Sequence, residues 1–401
     1  MFNCIWLAIK DDLLLINMAS LKQPNTIPIG STNLKNIYSD NKPPDNIHYI
    51  DIPYDINVPK PIINDEEWTP RVLVIGPGGP KGLNALGFLS PLEDSGIFNC
   101  CDTYCGVSVG AIISLLIVAG YQMREIVAEA ATLDIFKDID GFTFQSIIEN
   151  KGLISNEPVR KRLTQLIINK FGKIPSLYNL YLQTGKAYVA VTYNATDKIC
   201  EIMGPFTHPD ESCIDITMFS MNIPFVFYQL IYKGKTYVDG ALGNPYPIDY
   251  FDDGNTNILG IYMTTSDPKI PQVMSHRPGT IADRIDNKTS GELSIGTYSA
   301  RIVHSLMNQI RNGIIQRSSN RCKHICLETK SVNAVGYNLS TEDKARMLVE
   351  GFNEGKQFLA RLKNNTYVGP NIPPKSTYTY PPYYMIDEIN TPNILSAMNN
   401  L

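Results

Sequence analysis

Residues 104–118 read Tyr-Cys-Gly-Val-Ser-Val-Gly-Ala-Ile-Ile-Ser-Leu-Leu-Ile-Val, in which a Gly-x-Ser-x-Gly motif joins two apolar runs. This order predicts a strand, a sharp turn and a helix, with the hydroxyl of Ser108 projecting from the turn. Gly106 and Gly110 flank the serine because the strand and the helix must approach each other closely. Free amides at the helix N-terminus would favour negative charge beside the serine. The stretch has the outline of a nucleophile elbow, although so short a match also arises by chance.

A glycine-rich loop precedes this turn. Residues 71–75 form a β-rich run, and residues 76–82 then read Gly-Pro-Gly-Gly-Pro-Lys-Gly before a helical pattern. A strand, a glycine loop and a helix in this order present backbone amides to an anion. The P-loop pattern fails because Pro80 and Gly82 flank the lysine, and the dinucleotide fingerprint fails because Lys81 replaces a glycine. The loop therefore predicts an anion site, with a nucleotide-binding domain kept as an alternative.

Acyl transfer needs a nucleophile, a base and hydrogen-bond donors directed at the oxyanion. Ser108 is the candidate nucleophile. The backbone amides of Gly78 and Gly79 are the candidate oxyanion donors, because the neighbouring Pro77 and Pro80 have no N–H group.

Two candidates for the base stay open. A Ser-Asp-His triad needs a histidine late in the chain, and none of the histidines lies in a glycine-flanked loop after a predicted strand. Asp239 does lie in such a loop, directly before Gly240. An ordinary aspartate is a weak base, so Asp239 would need burial to raise its pKa. Alternatively, Asp239 belongs to an Asp-Gly turn between two strands. The histidines are His48, His208, His276, His304 and His324.

The three motifs, in this order, resemble those of the patatin-like lipid acyl hydrolases. The resemblance covers about residues 70–363 and departs from the family pattern at Pro77, where glycine is usual, and at Lys81, where arginine is commoner. Lysine keeps the charge but not the forked donor geometry of arginine. The segments that carry the resemblance are 78–82, 106–110, 220–224, 239–241 and 244–247.

This resemblance implies a three-layer α/β/α patatin-like fold with a mostly parallel central sheet. It implies a phospholipase A-type acyl hydrolase in which Ser108 and Asp239 form a catalytic dyad without histidine, metal or cofactor. Gly78 and Gly79 would form the oxyanion hole. Lys81 would hold its loop, attract a phosphate head group or form a salt bridge. The supporting loop residues would be Lys81, Gly82, Gly106, Gly110 and Gly240.

Under this interpretation the substrate is a phospholipid or another acyl lipid, and the location is cytoplasmic with peripheral membrane contact. The motifs also leave room for a Ser-Asp-His esterase and for a catalytically silent structural member. The net charge of −4 and the sequence pI near 5.8 give no reason to expect a nucleic-acid partner. The oligomeric state stays undetermined.

Hydrophobic residues make up 43% of the 401 residues, enough for a sizeable core. We expect an irregular extension over 1–69, the hydrolase domain over 70–363 and a Pro- and Tyr-rich tail over 364–401. Residues 2–16 are apolar but broken by charges, and they predict either a short peripheral helix or a true start at Met18. Residues 136–148 would form a lid, a membrane-touching surface or ordinary core.

Helical patterns cover 123–135, 157–171, 293–315 and 341–362, and Asn156 is the candidate N-cap of the second. Strand patterns cover 257–262 and 324–327, and residues 187–193 and 199–203 predict a hairpin. This alternation of helices and strands favours a largely parallel sheet covered on both faces.

The eight cysteines show no disulfide framework, so we expect reduced thiols. Cys322, His324 and Cys326 have a spacing that allows a metal site. In a strand, however, the three share one face, and no second ligand pair accompanies them. We therefore expect a core strand that packs all three side chains inward.

Overall fold

The structure is a computed structural model that describes residues 68–132, 149–265, 295–329 and 339–370. The predicted lid or surface segment at 136–148, the segment at 2–16 and nearly all of the predicted extension and tail lie outside these residues.

The strands of the described chain are β1 (Val72–Ile75), β2 (Thr103–Val107), β3 (Gly152–Ile154), β4 (Ala187–Asn194), β5 (Ile199–Met203), β6 (Phe225–Phe227), β7 (Leu230–Tyr232), β8 (Lys235–Asp239), β9 (Ile258–Thr265) and β10 (Cys322–Thr329). The helices are α1 (Gly82–Asp94), α2 (Val109–Val118), α3 (Met123–Thr132), α4 (Glu157–Phe171), α5 (Leu177–Thr184), α6 (Cys213–Ser220), α7 (Ile295–Arg317) and α8 (Thr341–Lys363).

The central sheet is mostly parallel. Its strands follow the order β10-β9-β1-β2-β4, all parallel, and β8 and β7 join it through antiparallel pairing of β8 with β4 and of β7 with β8. β5 pairs with β4 as the antiparallel hairpin that the sequence predicts. β3 and β6 form a separate parallel pair.

The register on β4 brings two distant loops together. The last residue of β2 pairs with Val191, and the last residue of β8 pairs with Thr192. β5 pairs with β4 over residues 190–194, so β2 and β8 must share the opposite edge of β4. The chain leaves both strands at the same point, which places the Gly-x-Ser-x-Gly turn beside the Asp-Gly turn.

Alternating strand residues supply two cores, as expected for a sheet covered on both faces. Leu73 and Ile75 join the cluster that includes residues of α1, α2, α4, α6 and α8. Val72 and Val74 point the other way and join a smaller cluster that includes Ile314 of α7. The three-layer α/β/α architecture predicted from the sequence is therefore confirmed.

Two local predictions were wrong in their detail. Asn156 does precede α4, but its side chain makes no capping bond and instead donates to Asn222 Oδ1 at 3.2 Å. Cys322 and His324 are buried as expected, whereas Cys326 is exposed. The buried side of β10 changes along the strand, since Leu327 packs into the cluster on the other face and the smaller cluster does not extend to Cys326.

The chain after α8 remains packed against the fold. Tyr367 lies in the stretch predicted as tail, and its ring contacts Phe358 with centroids 5.9 Å apart. Its hydroxyl accepts a hydrogen bond from the backbone N–H of His324 and donates one to the carbonyl of the same residue, each at 2.7 Å.

None of the helices in the described ranges combines the length and the apolar character needed to cross a bilayer.

Candidate active site

The turn between β2 and α2 has the strained geometry of a nucleophile elbow. Ser108 has φ +59° and ψ −123°, an uncommon conformation for a residue other than glycine. Neither flanking glycine can carry a side chain there. A Cβ at Gly106 would collide with the backbone of Gly110, and one at Gly110 would collide with the Ile75 carbonyl of β1. The turn therefore requires glycine at positions 106 and 110, as the motif indicates.

Ser108 and Asp239 are in direct contact, as the register on β4 requires. The Ser108 hydroxyl donates a hydrogen bond to the Asp239 carboxylate, and both residues are only 4% exposed. Asp239 Oδ1 also accepts a bond from the Ala241 amide at 2.9 Å. Burial raises the pKa of Asp239 to about 6, although the two hydrogen bonds oppose this rise. A carboxylate of this kind is a stronger base than an exposed aspartate.

The last residue of α6 and the residues just after it bind the backbone of both residues. The Ser108 amide donates to Ser220 Oγ at 3.1 Å, and the Asp239 amide donates to the Asn222 carbonyl at 2.9 Å. The Asn222 side chain is itself anchored, because its Nδ2 donates to the Tyr237 carbonyl at 3.1 Å. The sequence marks residues 220–224 only through the family resemblance and contains no signal for the Ser220 bond.

The glycine loop lies next to this pair. Gly79 has φ +53° and lines the same cavity as Ser108. The amides of Gly78 and Gly79 donate no hydrogen bond within the described residues, so both donors are available. The Gly78 carbonyl accepts a bond from the Lys81 amide at 3.1 Å, which closes the loop. A Cβ at Gly78 would meet Met263 Sδ at 2.6 Å, so a larger residue would have to displace this methionine side chain of β9.

The remaining supporting residues lie around these loops. Gly82 begins α1 against Val109, and Gly240 passes so close to the Val191 carbonyl of β4 that a Cβ would collide with it. Lys81 has its pKa lowered by burial and by the nearby guanidinium of Arg311 on α7.

An apolar cavity opens beside Ser108 between α1, α2, α3 and α4. The cavity has a volume of about 180 Å³ and is open to solvent at its mouth. The charged side chains among its lining residues are Glu129, Arg162 and Lys344; Arg162 makes two bonds to Glu129, at 2.6 and 2.8 Å. No sequence motif pointed to these three. The apolar lining residues include Leu83, Leu86, Ile112, Ile113, Leu116, Ile126, Leu163, Leu166, Met221, Ile223 and Phe227.

The histidines of the described residues have other positions. His324 is buried between the Tyr246 hydroxyl at 3.1 Å and Ser318 Oγ at 2.8 Å, and His208 bonds to Thr207. His304 lies on α7. None of the three is among the residues that line the cavity around Ser108, while His48 and His276 lie outside the described ranges. In those ranges no group of three or more potential metal ligands gathers.

A family model described as patatin-like phospholipase matches residues 73–252. The match covers less than half of the chain and shows the similarity of this stretch to that family. The chain aligns with a probable lipid hydrolase of Invertebrate iridescent virus 6 at 28% identity over 182 residues, which are 45% of this chain and 62% of that protein, less than two thirds of its length. It also aligns with an uncharacterized protein of Acanthamoeba polyphaga mimivirus at 24% identity over 300 residues, which are 73% of this chain and 95% of that protein.

Two solved structures are similar to this chain at low identity. VipD from Legionella pneumophila is 16% identical with a TM-score of 0.44, covering 74% of this chain and 67% of its own. The ExoU–SpcU complex from Pseudomonas aeruginosa is 14% identical with a TM-score of 0.42, covering 73% and 52% respectively.

Proposed function

We propose that this protein is a lipid acyl hydrolase in which Ser108 and Asp239 form the catalytic dyad. The observation that carries the proposal is the buried contact between the Ser108 hydroxyl and the Asp239 carboxylate at the edge of an apolar cavity. The similarity of residues 73–252 to the patatin-like phospholipases, and the lipid hydrolase among the relatives, support a lipid ester as the substrate.

In the proposed reaction Asp239 takes the proton of the Ser108 hydroxyl as the serine oxygen attacks the ester carbonyl carbon. The amides of Gly78 and Gly79 donate to the oxyanion of the tetrahedral intermediate. The intermediate then expels the alcohol part of the lipid, which takes the proton from Asp239 and leaves an acyl-serine. A water molecule, deprotonated by the same carboxylate, attacks this ester. The fatty acid leaves as Ser108 recovers its proton.

The cavity supports an acyl chain more than a nucleotide. Gly79 and Pro80 line it together with leucine and isoleucine side chains, and a fatty-acyl chain gains free energy by leaving water for such a surface. A nucleotide would place charged phosphates against the same apolar walls, which costs desolvation free energy. That the lipid is a phospholipid and that the protein contacts a membrane are parts of this proposal.

The first prediction tests the dyad. Ser108→Ala and Asp239→Asn should each lower fatty-acid release by about a thousandfold or more, because the nucleophile and its base act as one unit. Release is measured by mass spectrometry of products from mixed phospholipids, and Ser108 is labelled with a fluorophosphonate. Ser114→Ala on α2 and the exposed Asp210→Asn serve as matched controls and should keep full activity.

Substantial activity in either dyad variant would contradict the assignment. The Ser-Asp-His alternative is tested by His48→Gln, His276→Gln and His304→Gln, which should leave hydrolysis unchanged. Loss of activity in one of them would transfer the role of base to that histidine. Tight dinucleotide binding without fluorophosphonate labelling would instead favour a nucleotide-binding domain.

A further inference from the structure

One face of α7 carries exposed apolar side chains at helical spacing. Ile302, Leu306 and Ile310 are 44%, 54% and 38% exposed, respectively, and they follow one another at intervals of four residues. Residues spaced in this way lie above one another on one side of a helix. We call these three residues the α7 stripe.

The stripe is not needed to attach α7 to the protein. Met307, Ile314 and Ile315 of the same helix pack against the smaller core cluster. A helix of a globular protein normally has one apolar face toward the core and polar residues elsewhere. An apolar stripe outside the core-facing side therefore indicates a second surface that α7 contacts.

The charges of α7 indicate the chemistry of that surface. Its sequence contains no aspartate or glutamate, and the exposed Arg317 lies in its last turn, whereas Arg311 lies over the Tyr262 ring at 4.3 Å with its Nε buried. By contrast, α8 has the same length and carries acidic residues in its first turn. A cationic helix that exposes apolar side chains is suited to lie in the interface of an anionic lipid bilayer, where both features contribute to binding.

The position of α7 places this surface beside the candidate active site. The helix packs against the Gly240–Leu242 turn that follows Asp239. Arg311 of α7 lies close enough to Lys81 of the glycine loop to lower its pKa. Leu242 is 41% exposed and adds a fourth apolar side chain at this end of the molecule.

We propose that the α7 stripe and Leu242 form the surface by which this protein binds lipid bilayers, with a preference for anionic lipids. Docking in this orientation would bring lipid esters to the cavity beside Ser108. The argument for the binding surface uses only the composition and exposure of α7. The delivery of lipid esters to Ser108 rests, in addition, on the proposed function.

The test uses the full chain and sedimentation with vesicles of phosphatidylcholine alone or mixed with phosphatidylserine. Leu306→Glu and Ile310→Glu should each weaken vesicle binding by about tenfold or more, which corresponds to losing the transfer of one large apolar side chain into lipid. The wild type should bind the phosphatidylserine mixture more tightly, and salt should weaken this preference. The control is Leu182→Glu on α5. This leucine is also exposed, at 61%, but it lies outside the proposed surface.

A second readout separates this proposal from the proposed function. Hydrolysis of a monomeric, water-soluble short-chain ester should be the same in Leu306→Glu and wild type, while hydrolysis of vesicle lipid falls. Equal vesicle binding by Leu306→Glu and wild type, or an equal loss in Leu182→Glu, would overturn the docking surface. The docking surface would also be overturned if the wild type proved to be a dimer, Leu306→Glu a monomer, and both bound vesicles equally, because the stripe would then be a contact between two copies of the chain. If the wild type hydrolyses neither substrate but binds vesicles through α7, the proposed function fails and the docking surface stands.

Discussion

At the scale of single residues, the site combines backbone strain with a buried charge. Ser108 adopts a positive φ, and Asp239 is a carboxylate held away from water with a pKa near 6. Both features cost stability, and such costs gather at functional sites. The hydrogen bonds from the Ser108 hydroxyl and the Ala241 amide offset only part of the cost of burying the carboxylate.

Asp239→Asn should therefore make the protein more stable at pH 8. The folded-state pKa is about 6 and the unfolded value is 3.8, so the charged form is disfavoured in the fold. Well below pH 3.8 both states hold a neutral carboxyl group and the cost is absent. It grows between pH 4 and 6 and is complete above the folded pKa. The shift corresponds to about 2–3 kcal/mol in the free energy of unfolding.

Urea unfolding at pH 4, 6 and 8 measures this difference. The gain of the asparagine variant should be small at pH 4 and rise toward pH 8. An advantage that is constant over this range would show that the substitution acts through something other than the charge. Asp210→Asn, at an exposed aspartate, is the control and should show no pH-dependent gain.

Ser220→Ala should loosen the elbow. The substitution leaves the Ser108 amide buried without its acceptor, which costs about 1–3 kcal/mol. We expect a lower midpoint in thermal unfolding and slower fluorophosphonate labelling of Ser108. Ser220→Thr keeps a hydroxyl and should restore part of both.

Ser114→Ala is the matched control, because the Ser114 hydroxyl is buried on α2 without a hydrogen-bond partner in the described structure. Removing it should cost nothing. The labelling rates are compared under conditions in which wild type and Ser220→Ala are folded to the same extent. An equal labelling rate of Ser108 in the two proteins would show that the bond contributes only to stability.

At the scale of elements, close contact between backbones decides where the strands and helices meet. The elbow and the start of α2 lie very close to β1. A Cβ on Gly110 would collide with the Ile75 carbonyl oxygen of β1. A residue with a side chain must push α2 away from the sheet and displace Ser108 with it.

Gly110→Ala should consequently destabilise the fold by several kcal/mol or prevent folding, because overpacking at a rigid backbone contact is costly. The control is Gly313→Ala in the interior of α7, where a Cβ would meet only the flexible end of Arg317 at 3.2 Å. That substitution should be neutral or stabilising by about 0.5–1 kcal/mol, since alanine is the better helix former. Thermal unfolding should show a large loss of stability in Gly110→Ala and no loss in Gly313→Ala, and equal effects would contradict the contact argument.

Short-range patterns were sufficient to predict most elements. The elbow, the glycine loop and the hairpin of β4 and β5 follow from spacing and composition. Short-range patterns did not predict the contacts of side chains whose partners are distant in the sequence. Asn156 bonds to Asn222 rather than to its own helix, and Cys326 is exposed because the core cluster on its face ends before it. The bond from the Ser108 amide to Ser220 joins residues more than a hundred positions apart and has no local signature.

At the scale of the whole molecule, the sheet and its core extend beyond the segment that the family model matches. β9, β10, α7 and α8 all follow residue 252, yet β9 pairs directly with β1 and α8 packs along α1. Phe358 of α8 is 1% exposed in the main core cluster. The contact between the Ser108 and Asp239 loops was foreseeable only through the family resemblance, whereas the register on β4 explains it.

Phe358→Ala should lower the free energy of unfolding by about 3–5 kcal/mol, as for other buried phenylalanines. Phe352→Ala on the same helix, where the side chain is 39% exposed, should cost much less. Chemical denaturation of both variants compares them directly. Similar losses at the two positions would mean that α8 is less well anchored than its contacts with α1 indicate.

Tyr367 also bears on the border of the sheet. Among the described strands β10 is the last of the sheet, and an outermost strand offers unpaired amides and carbonyls to another polypeptide in extended form. The tyrosine hydroxyl occupies both backbone groups of His324 in the middle of that rim. A strand that approached this border would have to displace the tyrosine before it could pair with His324, so this side chain opposes strand addition there.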